Sequence, residues 1–490
     1  MSDLYLGIDI GTSSTKVVAM DDEGIVHGLG RSSYHTASPQ AGFAEQDPET
    51  WIQAVKESVR DVRSQLRESS RVRAIGMTGQ MHGLVMLDAR FQPLAPAILW
   101  PDTRSAQEVR EIKERYGSKL FELTGGPTAT GFLLSSLLWI KKHRQVIYDK
   151  IHVVLTPKDY VRLYLTGIPA MDPTDACGTG AFLPSVSCWA EELVNDLELD
   201  PKLFPKILPS ACIAGSLLPQ VAKELGLASD ILIVTGCGDL QASAMGIGIT
   251  SPEQLLVNVG TGGQVFQLLD HYAFDPQGRL HTMVHADGKS WHAMGAILAA
   301  GLSMSWIARI IGAEGDEMSS FFEASSGLIA CEEDLFFLPY LVGERTPHMD
   351  EKLSASFWGL RAGHDKTHLF RAVLEGVAFA LWDSFDVLSS LSQQPKVIRA
   401  GSGGLRDVHF RQLIADVFGL PLEYTNEVET SGLGAALLAQ AGVSGADSGE
   451  MIDALVKPVG TIWPNMVRHR AYAEGFQRYR QLAQVMKELS

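Results

Sequence analysis

Hydrophobic and polar positions predict alternating strands and helices from the first residues onward. Leu4 to Ile10 is an apolar, β-rich run, Gly11 to Ser14 supplies a turn, and Lys16 to Met20 forms a second strand. Asp21 to Gly24 gives a second turn and Ile25 to His27 a third strand. A long helix then opens at Asp47, whose carboxylate suits an N-cap, with Pro48 in the first helical position. Val72 to Gly76 reads as another short strand. Ile231 to Val234 is a strand running into a Gly-rich turn that ends at Asp239, with a helix from Leu240. Val397 to Ala400 repeats that form, leading into Gly401 to Gly404 and a helix from about Asp407 to Phe418. The tail, from about Arg470 to Leu489, has helical spacing.

One pattern occurs twice. Gln254 to Val259, Gly260 to Gly263 and the strand after them match the opening strand, Gly-Thr turn and strand, about half the chain later. This predicts two related halves, each starting with a glycine-turned hairpin. The turn-rich stretch Gly246 to Pro252 separates them, giving domains 1–246 and 247–490. Strands alternating with helices make the fold class α/β.

The apolar run Ala293 to Ala308 holds Ser303 and Ser305 and stops at Arg309. It falls short of the roughly 20 apolar residues a membrane span needs, so a buried helix is expected. The opening MSDLYLGIDIG has no basic leader, so no signal peptide is expected. Together with five scattered cysteines and no CxxC pair, this predicts a cytoplasmic protein without a zinc site.

Charge narrows the partners. Against 41 Lys and Arg stand 57 Asp and Glu, a net charge of −16. That argues against a nucleic-acid or membrane-surface binder. It leaves room for an anionic small molecule, because clustered backbone N–H groups hold phosphate on an acidic protein.

Three turns have that character: Gly11 to Ser14, Gly260 to Gly263 and Gly401 to Gly404. Glycine lets backbone N–H groups approach a ligand, and Thr or Ser adds hydroxyls. Three such turns suit an extended polyphosphate nucleotide. The chain has no G-x-x-x-x-G-K-[ST], no strand-borne G-x-G-x-x-G and no protein-kinase signature, so those nucleotide folds are excluded. Asp9 lies inside an apolar strand, where a carboxylate is costly without a cation or hydrogen bonds. Asp239, at a predicted helix start, suits either an N-cap or a general base. Gly79 to Gly83 and Leu99 to Arg104 join polar groups with an indole, as a sugar site requires. The candidates there are Met81, His82, Trp100 and Asp102; taken alone, Trp100 reads rather as core and His82 as a satisfied loop histidine.

Taken in order and spacing, the motifs resemble the FGGY carbohydrate kinases. They are GIDIGTS (Gly7–Ser13), EQDPE (Glu45–Glu49), GQMHG (Gly79–Gly83), ILW (Ile98–Trp100), PKDY (Pro157–Tyr160), Gly238–Asp239, Gly260–Thr261, FLPYLVGERTPH (Phe337–His348), RAVLEG (Arg371–Gly376) and Gly403–Gly404. The QMH and GERTPH segments resemble the family's xylulose kinase branch more than its glycerol kinase branch. The resemblance implies two actin-like ATPase (ribonuclease H-like) domains. Each has a mixed five-stranded sheet flanked by helices, and the active site lies in the cleft between them. It implies ATP and Mg²⁺ as cofactors. Asp239 would be the catalytic base and Asp9 the carboxylate near Mg²⁺, acting through water. Gly11, Thr12, Ser13, Gly260, Thr261, Gly301, Gly403 and Gly404 would lie along the nucleotide, and Met81, His82, Trp100 and Asp102 along the sugar. The implied reaction is phosphorylation of a ketopentose, with D-xylulose first and ribulose, L-xylulose or a polyol as alternatives. Members of the family often dimerise, which makes a homodimer compatible with the sequence.

Four positions depart from the family pattern. Leu240 follows Asp239 where the branch usually has Asn, and Pro101 stands between Trp100 and Asp102 where Asn is usual. Both remove an amide beside the sugar. Ser136 replaces a common Lys, and Gly262 a common Ser. From another class, an actin-like ATPase switch without sugar transfer would also use Asp9, Gly260 and Gly404, but has no duty for His82 or Trp100. A silent sugar sensor is a third option, against which the retained Asp9 and Asp239 argue.

Overall fold

The computed structural model describes residues 3–489 apart from 68, 69, 314, 316, 402 and 426–428. Two mixed sheets organise it, each built on the same five-strand order. In the first, Val26–Ser33, Ser14–Asp21 and Asp3–Ile10 run antiparallel to one another. Arg71–Gly79 and Leu232–Val234 then continue in parallel. In the second, Trp291–Ile297, Gly263–Leu269 and Gln254–Val259 are antiparallel, followed in parallel by Val397–Ala400 and Leu422–Tyr424. The expected repeat is therefore real at the level of topology, with both hairpins at corresponding places.

Each sheet is wider than the expected five strands. Ile213–Ser216 extends the first edge, and Cys237–Gly238 adds a short pairing at the end of Arg71–Gly79. His281–Val284 and Gly460–Ile462 extend the second sheet at both edges. These additions are short, and two to four residues carry too little alternation to be seen in sequence.

The helix at Asp47 forms as predicted, over Pro48–Gln65. The Asp47 carboxylate accepts the Glu49 N–H, and Trp51, Ile52, Val55, Val59 and Val62 bury one face. The apolar run expected as one buried helix is instead a strand, Trp291–Ile297, a bend, and a helix, Gly301–Ile311. The strand half pairs along its whole length with Gly263–Leu269, so sheet hydrogen bonding overrides the apolar composition. Among the described residues no helix is long and apolar enough to cross a membrane.

One helix ties the halves together. Thr430–Ser444 lies late in the chain yet packs on the first sheet and on the helix Asp239–Ile247. Backbone meets backbone there: a Cβ at Gly7 would sit 1.8 Å from the Gly432 carbonyl oxygen, and one at Gly434 1.8 Å from the Ala242 oxygen. A cut after residue 246 would separate this helix from the surface it covers. Gly7→Ala is expected to force helix and sheet apart and cost at least about 1–3 kcal/mol, the usual penalty of overpacking. Chemical denaturation of the purified variant checks it, and an unchanged midpoint would contradict the packing.

Candidate active site

Both hairpin turns and the start of the helix Asp239–Ile247 open on one cleft of about 450 Å³ between the sheets. Thr12, Met81, His82, Trp100, Asp239 and Leu240 line it from the first half, and Gly260, Thr261, Gln264, Leu298 and Arg345 from the second. Thr12, Met81, Asp239 and the Gly260–Thr261 turn, far apart in sequence, meet because each follows the end of a sheet strand, where α/β sheets present ligand sites.

Gly238 is the N-cap of its helix and Asp239 the first helical residue, which removes the N-cap alternative for Asp239. Its Oδ1 accepts the adjacent Leu240 N–H at 2.8 Å. The enclosing protein, and then the charge of Asp9, push its pKa up to about 7. Asp9 is itself buried in its strand. Its Oδ2 accepts the Ser431 hydroxyl at 2.6 Å, while Oδ1 has no hydrogen-bond partner among the described residues. Burial raises its pKa. Ser431 belongs to the helix that crosses from the second half, so both halves define this carboxylate.

His82 takes a positive φ of 75° and stacks flat on Phe132, with ring centroids 4.1 Å apart. Burial lowers its pKa to about 4, so the imidazole is neutral. The Gly178 carbonyl, 2.6 Å from Nδ1, can only accept; Nδ1 therefore carries the proton and Nε2 is left as an acceptor. Trp100 is 44% exposed and donates its indole N–H to Thr12 Oγ1 at 2.9 Å, joining its loop to the first turn.

Asp102 departs from its expected role. It is fully buried and absent from the cleft wall. Its oxygens accept the Ala44 N–H at 2.7 Å and the Arg104 side chain at 2.7–3.0 Å. It braces the loop that presents Trp100, and with its acceptors used it has none to spare for a sugar.

The second turn is organised around Gly260. Gly301 N–H donates to the Gly260 carbonyl at 2.9 Å, and a Cβ at Gly404 would lie 2.3 Å from the Val259 oxygen. Gly301 and Gly404 therefore sit against the turn that includes Thr261. Gly403 has open space where a Cβ would be, and Ser402 lies outside the described residues. At the first turn, the Gly11 carbonyl accepts the Tyr34 hydroxyl at 2.6 Å, and Ser13 is exposed.

Arg345 belongs to the GERTPH segment and faces the cleft. Its loop is pinned to the strand below. Glu344 accepts the Leu298 and Arg345 N–H groups at 2.8 and 2.7 Å, and Thr346 exchanges hydrogen bonds with Ala296. No carboxylate pairs with the Arg345 guanidinium among the described residues, and its charge adds to the burial that depresses His82 and His281. Gln264 is a second unforeseen polar group in the wall. Gln264 carries no sequence signal and Arg345 only that of its motif, because each acquires its meaning from the opposite half.

Comparison with known proteins bears on this geometry. The N-terminal domain model of the FGGY family of carbohydrate kinases matches residues 4–246, and its C-terminal domain model residues 255–443. A xylulose kinase of Escherichia coli K12 is 34% identical over 488 residues, covering 99% of this chain and 100% of that protein. The crystal structure of a xylulose kinase from Brucella ovis superposes with a TM-score of 0.94 at 34% identity, over 99% of this chain and 100% of that one. A gluconate kinase structure from Lactobacillus acidophilus gives 0.93 at 28% identity, over 99% and 98%. Matches that run the length of both halves, at this identity, leave one assignment: the chain belongs to the FGGY family of carbohydrate kinases.

Proposed function

We propose that this kinase transfers the γ-phosphate of ATP to a ketopentose, with D-xylulose as acceptor and D-xylulose 5-phosphate as product. The observation that carries the reading is the position of Asp239. Its carboxylate lines the same cleft as Met81, His82 and Trp100 on one wall and the Gly260–Thr261 turn on the other. The full-length likeness to xylulose kinases supports the choice of sugar.

In this reading the indole of Trp100 offers a flat surface to sugar C–H groups, and His82 Nε2 accepts a hydroxyl. Asp239 takes the proton of the attacking hydroxyl as the P–O bond forms. The transition state of phosphoryl transfer is loose, so a carboxylate of pKa near 7 is base enough. Gly11, Thr12 and Ser13 on one side, and Gly260, Thr261, Gly301, Gly403 and Gly404 on the other, would hold the nucleotide and turn backbone N–H groups toward its phosphates. Asp9 fits the Mg²⁺ expected with ATP, because a buried carboxylate oxygen without a partner calls for a cation. That ion, held through water, would offset charge on the β- and γ-phosphates. Closing the cleft would exclude water as a competing acceptor.

A second reading has its own observation. Arg345 places an unpaired guanidinium in the cleft, which suits the carboxylate of an aldonate, and a gluconate kinase is among the similar structures. ADP formation measured across ketopentoses, polyols and gluconate, with a sugar-free blank, decides. D-xylulose dominant supports the first reading, gluconate dominant the second, and sugar-independent release overturns both. Leu240→Asn restores the amide usual in the xylulose kinase branch. It is expected to raise kcat/KM for D-xylulose about fivefold, the worth of one neutral hydrogen bond, with the KM for ATP unchanged. Steady-state kinetics check this; a lowered kcat/KM would show that Leu240 is matched to another sugar.

A further inference from the structure

The PKDY segment is one motif the mechanism above leaves unused. Lys158 and Asp159 are fully buried, as are Arg162, Asp172 and Asp175. The Lys158 ammonium lies 2.8 Å from Asp159, 3.0 Å from Asp172 and 3.2 Å from Asp175. Carboxylate oxygens of the three aspartates lie within 4.8 Å of one another, as they would around a divalent ion. Here the point of convergence is taken by the lysine. Arg162 adds a second positive charge 3.2 Å from Asp159.

A cluster this costly to bury needs a reason, since apolar packing would serve stability as well. Its bonds run toward the active site. The Thr174 hydroxyl donates to Asp172 Oδ2 at 2.6 Å, and the same oxygen accepts the Thr174 N–H at 2.9 Å. Thr174 Oγ1 in turn accepts the N–H of Gly238 at 2.8 Å. Gly238 is the residue before Asp239 and the N-cap of its helix. Lys158 also reaches the Thr235 carbonyl at 3.5 Å, at the other end of the same turn. Donation converges on Asp172: the Gly238 N–H donates to the Thr174 hydroxyl and that hydroxyl to Asp172, while the Lys158 ammonium donates to the same carboxylate from the other side, so the bonds polarise one another.

We infer that the Lys158–Asp172–Thr174 network is a positioning device: an internal ammonium holds an aspartate triad, and through Thr174 it fixes the turn that presents Asp239. The inference rests on Asp239 being the base. Lys158, Asp172 and Thr174 act through the Gly238 amide and are positioning residues, not catalytic ones.

The test is a pair of substitutions at Thr174, assayed with the full chain. Thr174→Val keeps the shape and removes the acceptor for Gly238, while Thr174→Ser keeps it. Displacement of a reacting group by about 1 Å can cost roughly a hundredfold in rate. Thr174→Val is therefore expected to lower kcat by about 10- to 100-fold with the KM for ATP within about twofold, and Thr174→Ser to restore kcat to within about twofold of the parent. Equal losses in both variants, an unchanged kcat in Thr174→Val, or a Thr174→Val protein that does not fold would each overturn the inference. Asp239→Asn run alongside separates the two claims. If it stays active, the base assignment fails; if it is inactive while Thr174→Val is normal, only the network fails.

Discussion

Asp239→Asn is expected to lower kcat by roughly 10²- to 10⁴-fold, the range a positioned general base contributes. The substitution is nearly isosteric and keeps an oxygen for the Leu240 N–H, so nucleotide affinity should hold. A carboxylate acts as a base only when ionised. With a pKa pushed up to about 7, kcat should fall with decreasing pH below neutrality, about tenfold per unit. Stability should respond in the opposite sense. Asp239 keeps its proton in the folded protein over a range where the unfolded chain has lost it, from its ordinary value near 4 up to about 7. Folding stability therefore declines as pH rises through that window. Asn carries no such cost. Asp239→Asn should melt a few degrees higher than the parent at pH 8 and at the same temperature at pH 4. Paired rate and melting profiles check both. A variant with near-parental turnover, or one destabilised at pH 8, would refute the assignment.

The part of this site legible in sequence is the part made by local backbone. Gly11 and Gly260 announce their hairpins because a glycine turn between two apolar runs is encoded within a dozen residues. Asp47 announces its helix for the same reason. Asp102 misleads because its duty is set by Ala44 and Arg104, and nothing local separates a carboxylate serving a loop from one serving a ligand. Residues 293–308 mislead because uniform apolarity has no period, and only pairing with Gly263–Leu269 selects a strand for its first half. The helix Thr430–Ser444 reads as a run of small residues. That it brings Ser431 to Asp9 is a property of the folded chain alone. Arg345 belongs with it: the motif is visible, but the cleft it faces is closed by the other half.

Asp9→Asn is expected to lower kcat by roughly 10²- to 10³-fold, the typical loss when one electrostatic group is removed from an active site. Asp9 lies at the meeting of three elements. Its strand carries it next to the first turn, Ser431 from the crossing helix donates to one oxygen, and Lys16 pairs with Glu429 close by at 2.6 Å. Asn retains an acceptor for Ser431, so the packing that brings Gly7 against Gly432 should survive and the loss should be one of charge. Two readouts separate charge from damage. If Asp9 holds Mg²⁺ through water, the variant should need more Mg²⁺ for half its maximal rate. Independently, Asp9 is the charge that adds to burial in raising Asp239, so its removal should move the acid limb of the rate profile below pH 7. A damaged fold moves neither readout in a defined direction. A variant that loses rate with the Mg²⁺ requirement and the acid limb both unmoved would show that Asp9 serves the strand and not the phosphates. The shift of the acid limb is the sharper of the two. It needs no assumption about where the ion sits and tests directly whether the two carboxylates, 230 positions apart, feel one another.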